Sequence, residues 1–154
     1  MVRVLLGRVW WIIGYGSPLW TRAGLAFASA CWAIGLALPG NSMDRPAFVY
    51  LRQIGNWGGE LVGGLPAEYF WLILFAVHSA GMTWQTLFET TARRVTFAIN
   101  ILGVIVFSAP PMCFVFAAPF PWPSGVASDV ACAAAAILVA VRTHIVRESD
   151  WRRG

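Results

Sequence analysis

Few side chains in this chain of 154 residues can do chemistry, and the ones that can are set among apolar neighbours. His78 lies well inside the apolar stretch Ala67–Gln85. Asn100 follows Arg94 by six residues, and Ser29 follows Arg22 by seven. At the helical rise of about 1.5 Å per residue, all three fall about 9–12 Å in from the same end of their stretches and can meet at one depth. An ionisable group at membrane depth is a functional hypothesis by default, and an imidazole titrating near neutrality would make a proton relay. The plainer reading of Ser29, His78 and Asn100 is a hydrogen-bonded knot between helices, each bond contributing about 0.6–2 kcal/mol. The sequence sets no carboxylate at that depth, so the knot is the expectation.

Other chemistry finds little footing. His144 sits near the end of the last apolar stretch, which leaves His78 about 10 Å deeper; two axial ligands of one haem must share a level. Cys31, Cys113 and Cys132 lack the spacing of a zinc site and fall inside apolar stretches, where free cysteines are small packing residues. A bond between Cys113 and Cys132 is open on depth alone. No Ser-His-Asp set, phosphate-binding glycine loop or paired carboxylates on a helical face occurs. Glu60, Glu68 and Glu89 fall at boundaries, where solvated carboxylates are ordinary. The expectation is a protein with no catalytic residue, no cofactor and no metal.

The elements that must position these residues follow from hydropathy. The chain is 58% hydrophobic and 12% charged, against about 25% charged in a soluble domain. Four apolar stretches stand out: Ala23–Pro39, Ala67–Gln85, Val95–Ala118 and Gly125–Val141. Each is close to the ~17–25 residues that cross a bilayer. The predicted fold is all-α, a single membrane domain over 1–154 with four transmembrane helices. Short interfacial helices are expected at the N-terminus and in the outer loop 40–66. At the N-terminus, Gly7 and Arg8 split the apolar run and no small-residue cleavage pattern follows, so a surface helix carrying Trp10, Trp11, Ile12 and Ile13 is favoured over a cleaved leader. In the loop, Asp44 can cap a helix with Pro46 in its first turn, and Phe48, Leu51 and Ile54 share a face. The glycines at 55–64 read as tight turns.

Arginine placement sets the orientation. Nine of the eleven arginines fall on the side of the termini and of the link between the second and third stretches; only Arg45 and Arg52 fall on the other. Cytoplasmic loops carry the excess of basic residues, so both termini are predicted in the cytoplasm. No basic run is interleaved with stacking aromatics, which excludes nucleic acid as a partner. The lipid bilayer is the expected one. Small residues mark packing faces: Ser29, Ala33 and Ala37 in the first stretch, Ala131 and Ala135 in the last. Trp32 must pack in the bundle or face lipid. Pro110-Pro111 predicts a bend near the outer end of the third helix, with Ser108 placed to satisfy a freed carbonyl. Asp129 suits the first turn of the fourth helix.

The order of these features resembles a class of small four-span membrane proteins encoded by tailed bacteriophages and prophages of Gram-negative bacteria. The residues that carry the resemblance are the aromatic piece before Ser17-Pro18, Leu36-Ala37-Leu38-Pro39-Gly40 and Asp44-Arg45-Pro46-Ala47-Phe48. Pro66-Ala67-Glu68-Tyr69-Phe70-Trp71, the Arg93-Arg94 turn and the late arginines complete it. It covers nearly the whole chain as architecture, apart from the glycine-rich Gly55–Gly64 segment, and implies the bacterial inner membrane with no activity to carry over. The expected function is non-enzymatic, through helix–helix contacts with a second copy or with partner membrane proteins. The alternatives are a holin-like pore and a redox or proton-handling subunit centred on His78.

Overall fold

The computed structural model describes residues 18–38, 43, 48–88, 93–117 and 124–151. Among them there are five helices and no strand: α1 (Pro18–Ala37), α2 (Val49–Leu61), α3 (Ala67–Leu87), α4 (Arg93–Ala117) and α5 (Ser124–Trp151). The N-terminal surface helix, Asp44 and Pro46, and the Pro119–Pro123 link lie outside the described residues.

The four long helices pack into a bundle. α1 lies along α3 and α4 along α5, and the two pairs meet through α3 with α4 and α1 with α5. Each helix buries a stripe at helical spacing. On α3 it is Ala67, Trp71, Phe75, His78, Met82 and Gln85, steps of three or four that fit 3.6 residues per turn. On α5 it is Val126, Asp129, Ala133, Ala136 and Val139. Ala131 is therefore exposed and Ala135 only half-buried; on α1, Ser29 is buried, Ala33 half-buried and Ala37 exposed. Ala37 and Ala131 are thus not packing positions within this bundle. A row of small side chains fixes a narrow ridge, but neighbouring bulk decides which way the helix turns it.

α2 departs most from expectation. It extends through the glycines to Leu61, and Gly55, Gly58 and Gly59 are buried in its contact with α3. A Cβ at Gly55 would strike Trp71 and Ala67, at Gly58 the Phe70 ring, and at Gly59 the Leu65 carbonyl. These glycines serve close helix approach. The turn proper is Gly63-Gly64, with φ of 108° and 82°, a region that favours glycine. There Gly59 O accepts from the backbone N–H groups of Gly64 at 2.9 Å and Leu65 at 3.1 Å. α2 also leans on α4, and of the residues read as sharing one face Leu51 is buried while Ile54 is exposed.

α4 continues through Pro110-Pro111, both buried, to Ala117. Its Arg94–Phe116 segment, 23 residues with mean hydropathy 2.0, is long and apolar enough to cross a membrane; among the described residues no other helix meets that mark. Length does not account for the difference, since α1 and α3 have 20 and 21 residues, about 30 Å at the helical rise. α1 carries Arg22, and α3 carries Glu68, His78 and Gln85 amid tryptophans that score low on hydropathy. The apolar part of α5 is the shorter Val126–Val141.

Candidate functional site

The stripe on α3 changes character halfway along. Its first half builds an aromatic block. Trp32 of α1 stacks on Phe75 with ring centroids 5.3 Å apart and planes 6° from parallel. Phe107 of α4 meets Phe75 edge-on at 6.0 Å, and Trp71 lies 6.4 Å from Phe75. Edge-to-face and offset contacts of this kind add about 0.5–1.5 kcal/mol beyond burial. Both indoles are satisfied. Trp71 Nε1 donates to Leu51 O at 2.8 Å, and Trp32 Nε1 donates to Asp129 Oδ1 at 3.3 Å. Asp129 is thus tied across the bundle to α1, a link that sequence reading misses. Its only advance signal is a tryptophan in mid-helix with a carboxylate buried on a neighbour.

The second half builds a polar layer. Ser29 and His78 are fully buried and Asn100 is 1% exposed. Ser29 Oγ and His78 Nδ1 share a hydrogen bond of 2.6 Å. The hydroxyl donates when the ring proton is on Nε2, and the ring donates when it is on Nδ1. Ser79 Oγ donates to Ala26 O at 2.9 Å, a second bond between α1 and α3. The imidazole edge rests on Phe107, centroids 5.6 Å apart. A Cβ at Gly103 would collide with His78 Nε2, so this glycine lets the ring lie against the α4 backbone. Asn100, one turn along α4 from Gly103, belongs to the same layer without a bond to Ser29 or His78.

The layer extends further than Ser29, His78 and Asn100. Gln85, two turns beyond His78 on the same stripe, and Thr96, one turn before Asn100 on α4, are also buried. Near their level Arg22 Nη2 donates to Thr143 Oγ1 at 3.4 Å, and Thr143 Oγ1 donates to Val139 O at 2.7 Å. Among the described residues, His78 Nε2, Asn100 Oδ1, and Gln85 Oε1 and Nε2 are buried polar atoms with no protein partner. Leaving such a group unpaired in a dry interior costs about 1–3 kcal/mol, and more in hydrocarbon.

Among the described residues no three His, Cys, Asp or Glu side chains gather as metal ligands. Cys31, Cys113 and Cys132 are free thiols, Cys31 exposed on α1. The His144 side chain lies outside the described residues. An apolar groove of about 510 Å³ runs between α2 and α4 beside Tyr50, Ile54, Ile105 and Met112. No protein-family model, curated protein or solved structure matches the chain.

Proposed function

We propose that this chain is a multi-pass protein of the bacterial inner membrane. In this reading α1, α3, α4 and α5 all cross, both termini are cytoplasmic, and the protein acts through helix contacts with a second copy or partner spans. The observation that carries the reading is the outward surface. Phe27 and Ile34 on α1, Ile73 and Val77 on α3, Phe97, Ile101 and Ile105 on α4, and Ile137 and Leu138 on α5 are all exposed large hydrophobics. Isolated apolar side chains on a surface are ordinary, whereas an apolar girdle on every long helix marks a lipid or protein environment. The nine-to-two arginine distribution supports the orientation.

Reporter fusions at each terminus, with alkaline carbonate extraction of membranes, test the topology. Extraction of the chain, or a terminus in the periplasm, overturns it. Cys31, exposed on α1, offers a native handle for self-association: oxidative crosslinking in membranes is expected to give a dimer that Cys31→Ser abolishes. Abrupt loss of membrane potential on induced expression would favour the holin-like pore instead. A proton-handling subunit is the second reading, favoured by the unpaired Nε2 of His78 within the bundle.

A further inference from the structure

The apolar groove between α2 and α4 has dimensions that decide what can occupy it. Its floor on α4 is Ile105, Ala109, Met112 and Phe116, at steps of four, three and four along one helical face. Ile105, Met112 and Phe116 are exposed, and the short Ala109 side chain lowers the floor between them. The wall on α2 is Tyr50 and Ile54, also exposed. These two begin a stripe that continues through Trp57 and Leu61, both exposed large hydrophobics. Arg52, Gln53, Asn56 and Glu60 occupy another side of α2 and are exposed, while Leu51, Gly55 and Gly58 are buried. Among the described residues no charged side chain lines the groove.

Length and width restrict the occupant. From Ile105 to Phe116 the floor runs about 16 Å at the helical rise, and half of a ~30 Å hydrocarbon core is about 15 Å. Phe116 closes the apolar Arg94–Phe116 segment and Ile105 is its midpoint, so the groove covers the depth of one leaflet. α2 is held at that depth by Trp71, one turn inside α3, whose Nε1 donates to Leu51 O. A volume of about 510 Å³ over that length gives a mean cross-section of about 30 Å², one extended hydrocarbon chain wide. A helix with its side chains is about 10–12 Å across, roughly 80–110 Å², and is too thick to enter.

We propose that this groove binds one acyl chain of an outer-leaflet phospholipid, with the chain's methyl end beside Ile105 and its ester end beside Phe116. The inference rests on the membrane reading above, which supplies the lipid and assigns the α2 side to the outer leaflet. A lipid tail gains no hydrophobic free energy by leaving other tails for the protein. Dispersion contact with two walls, small for each atom pair and summed along the chain, is what retains it. Trp57 marks the headgroup end: its neighbour Gly58 packs on Phe70 in the first turn of α3, the level at which tryptophan is enriched.

The test uses the full chain released from membranes in a mild non-ionic detergent, with retained lipid counted by native mass spectrometry. The unsubstituted chain is expected to carry a single diacyl phospholipid. Ala109→Phe raises the floor and Ile54→Trp fills the groove from the opposite wall, and each should lower the retained lipid at least about fivefold. Val130→Trp, on the exposed face of α5, should leave it unchanged. Equal retention in all three variants, or no lipid on the unsubstituted chain, overturns the site. A dimer that Ala109→Phe dissociates overturns it as well, in favour of a second copy. Extraction of the chain by alkaline carbonate is a separate result that removes the membrane reading and the lipid site with it. Should both groove variants misfold, the unsubstituted chain in vesicles containing a phospholipid with a diazirine at the end of one acyl chain decides the matter. Photolabel concentrated at Ile105 over Ile137 and Leu138, which are exposed on α5, supports the site, and an even spread refutes it.

Discussion

On α3, Trp71 and Phe75 belong to one environment and His78 and Gln85 to another, although all four lie on one buried stripe. At Trp71 and Phe75 the neighbours are rings in defined stacked or edge-on contact, and the indole N–H groups have carbonyl or carboxylate acceptors. At His78 the neighbours are the Ser29 hydroxyl, the Phe107 ring and the Gly103 backbone, and polar atoms of His78 and Gln85 are left without a partner. The same helical period thus delivers a close-packed block and a loosely satisfied layer. Ring packing is concentrated in the block and unpaired polar atoms in the layer.

That contrast can be broken by ranking substitutions. Trp71→Ala removes a buried indole and its bond to Leu51, and is expected to lower stability by about 3–5 kcal/mol, read from unfolding in detergent. Gly103→Ala forces His78 off the α4 backbone at a cost of about 1–3 kcal/mol. Adding His78→Ala should recover part of that loss, because the two positions touch. Ser29→Ala deletes a single interhelical bond and should cost about 0.6–1.7 kcal/mol. If Ser29→Ala proves more damaging than Trp71→Ala, the division of labour between the two halves is wrong. Ala131→Leu, on the exposed face of α5, should change the stability of the monomer by less than about 0.5 kcal/mol. A larger loss would mark Ala131 as a packing position.

Helical period made much of this legible in the sequence. The stripe on α3 follows from steps of three and four, and the common level of Ser29 and His78 needs only the rise per residue. Gln85 sits two turns from His78 on that stripe, yet a polar residue at the end of an apolar run looks like a boundary. The tie from Trp32 to Asp129 spans 97 residues, and nothing local announces it. The glycines of α2 were opaque for another reason. Glycine permits both a turn and a close helix contact, and only the ring placed opposite, Trp71 or Phe70, decides between them. Hydropathy separates α4 from its companions because Arg22, Glu68, His78, Gln85 and the tryptophans lower the average along α1 and α3.

The junction at Gly59–Leu65 bears on how the molecule assembles. The hairpin of α2 on α3 closes over a few residues, where the entropy of bringing chain ends together is smallest. By contrast, Ser29 must find His78 across 49 positions and Arg22 must find Thr143 across 121. Contacts near in sequence form fastest. The α2–α3 hairpin therefore carries a smaller closure cost than the ties of α1 to α3 and α5, and works as a prefabricated wedge in the entropy balance of the fold.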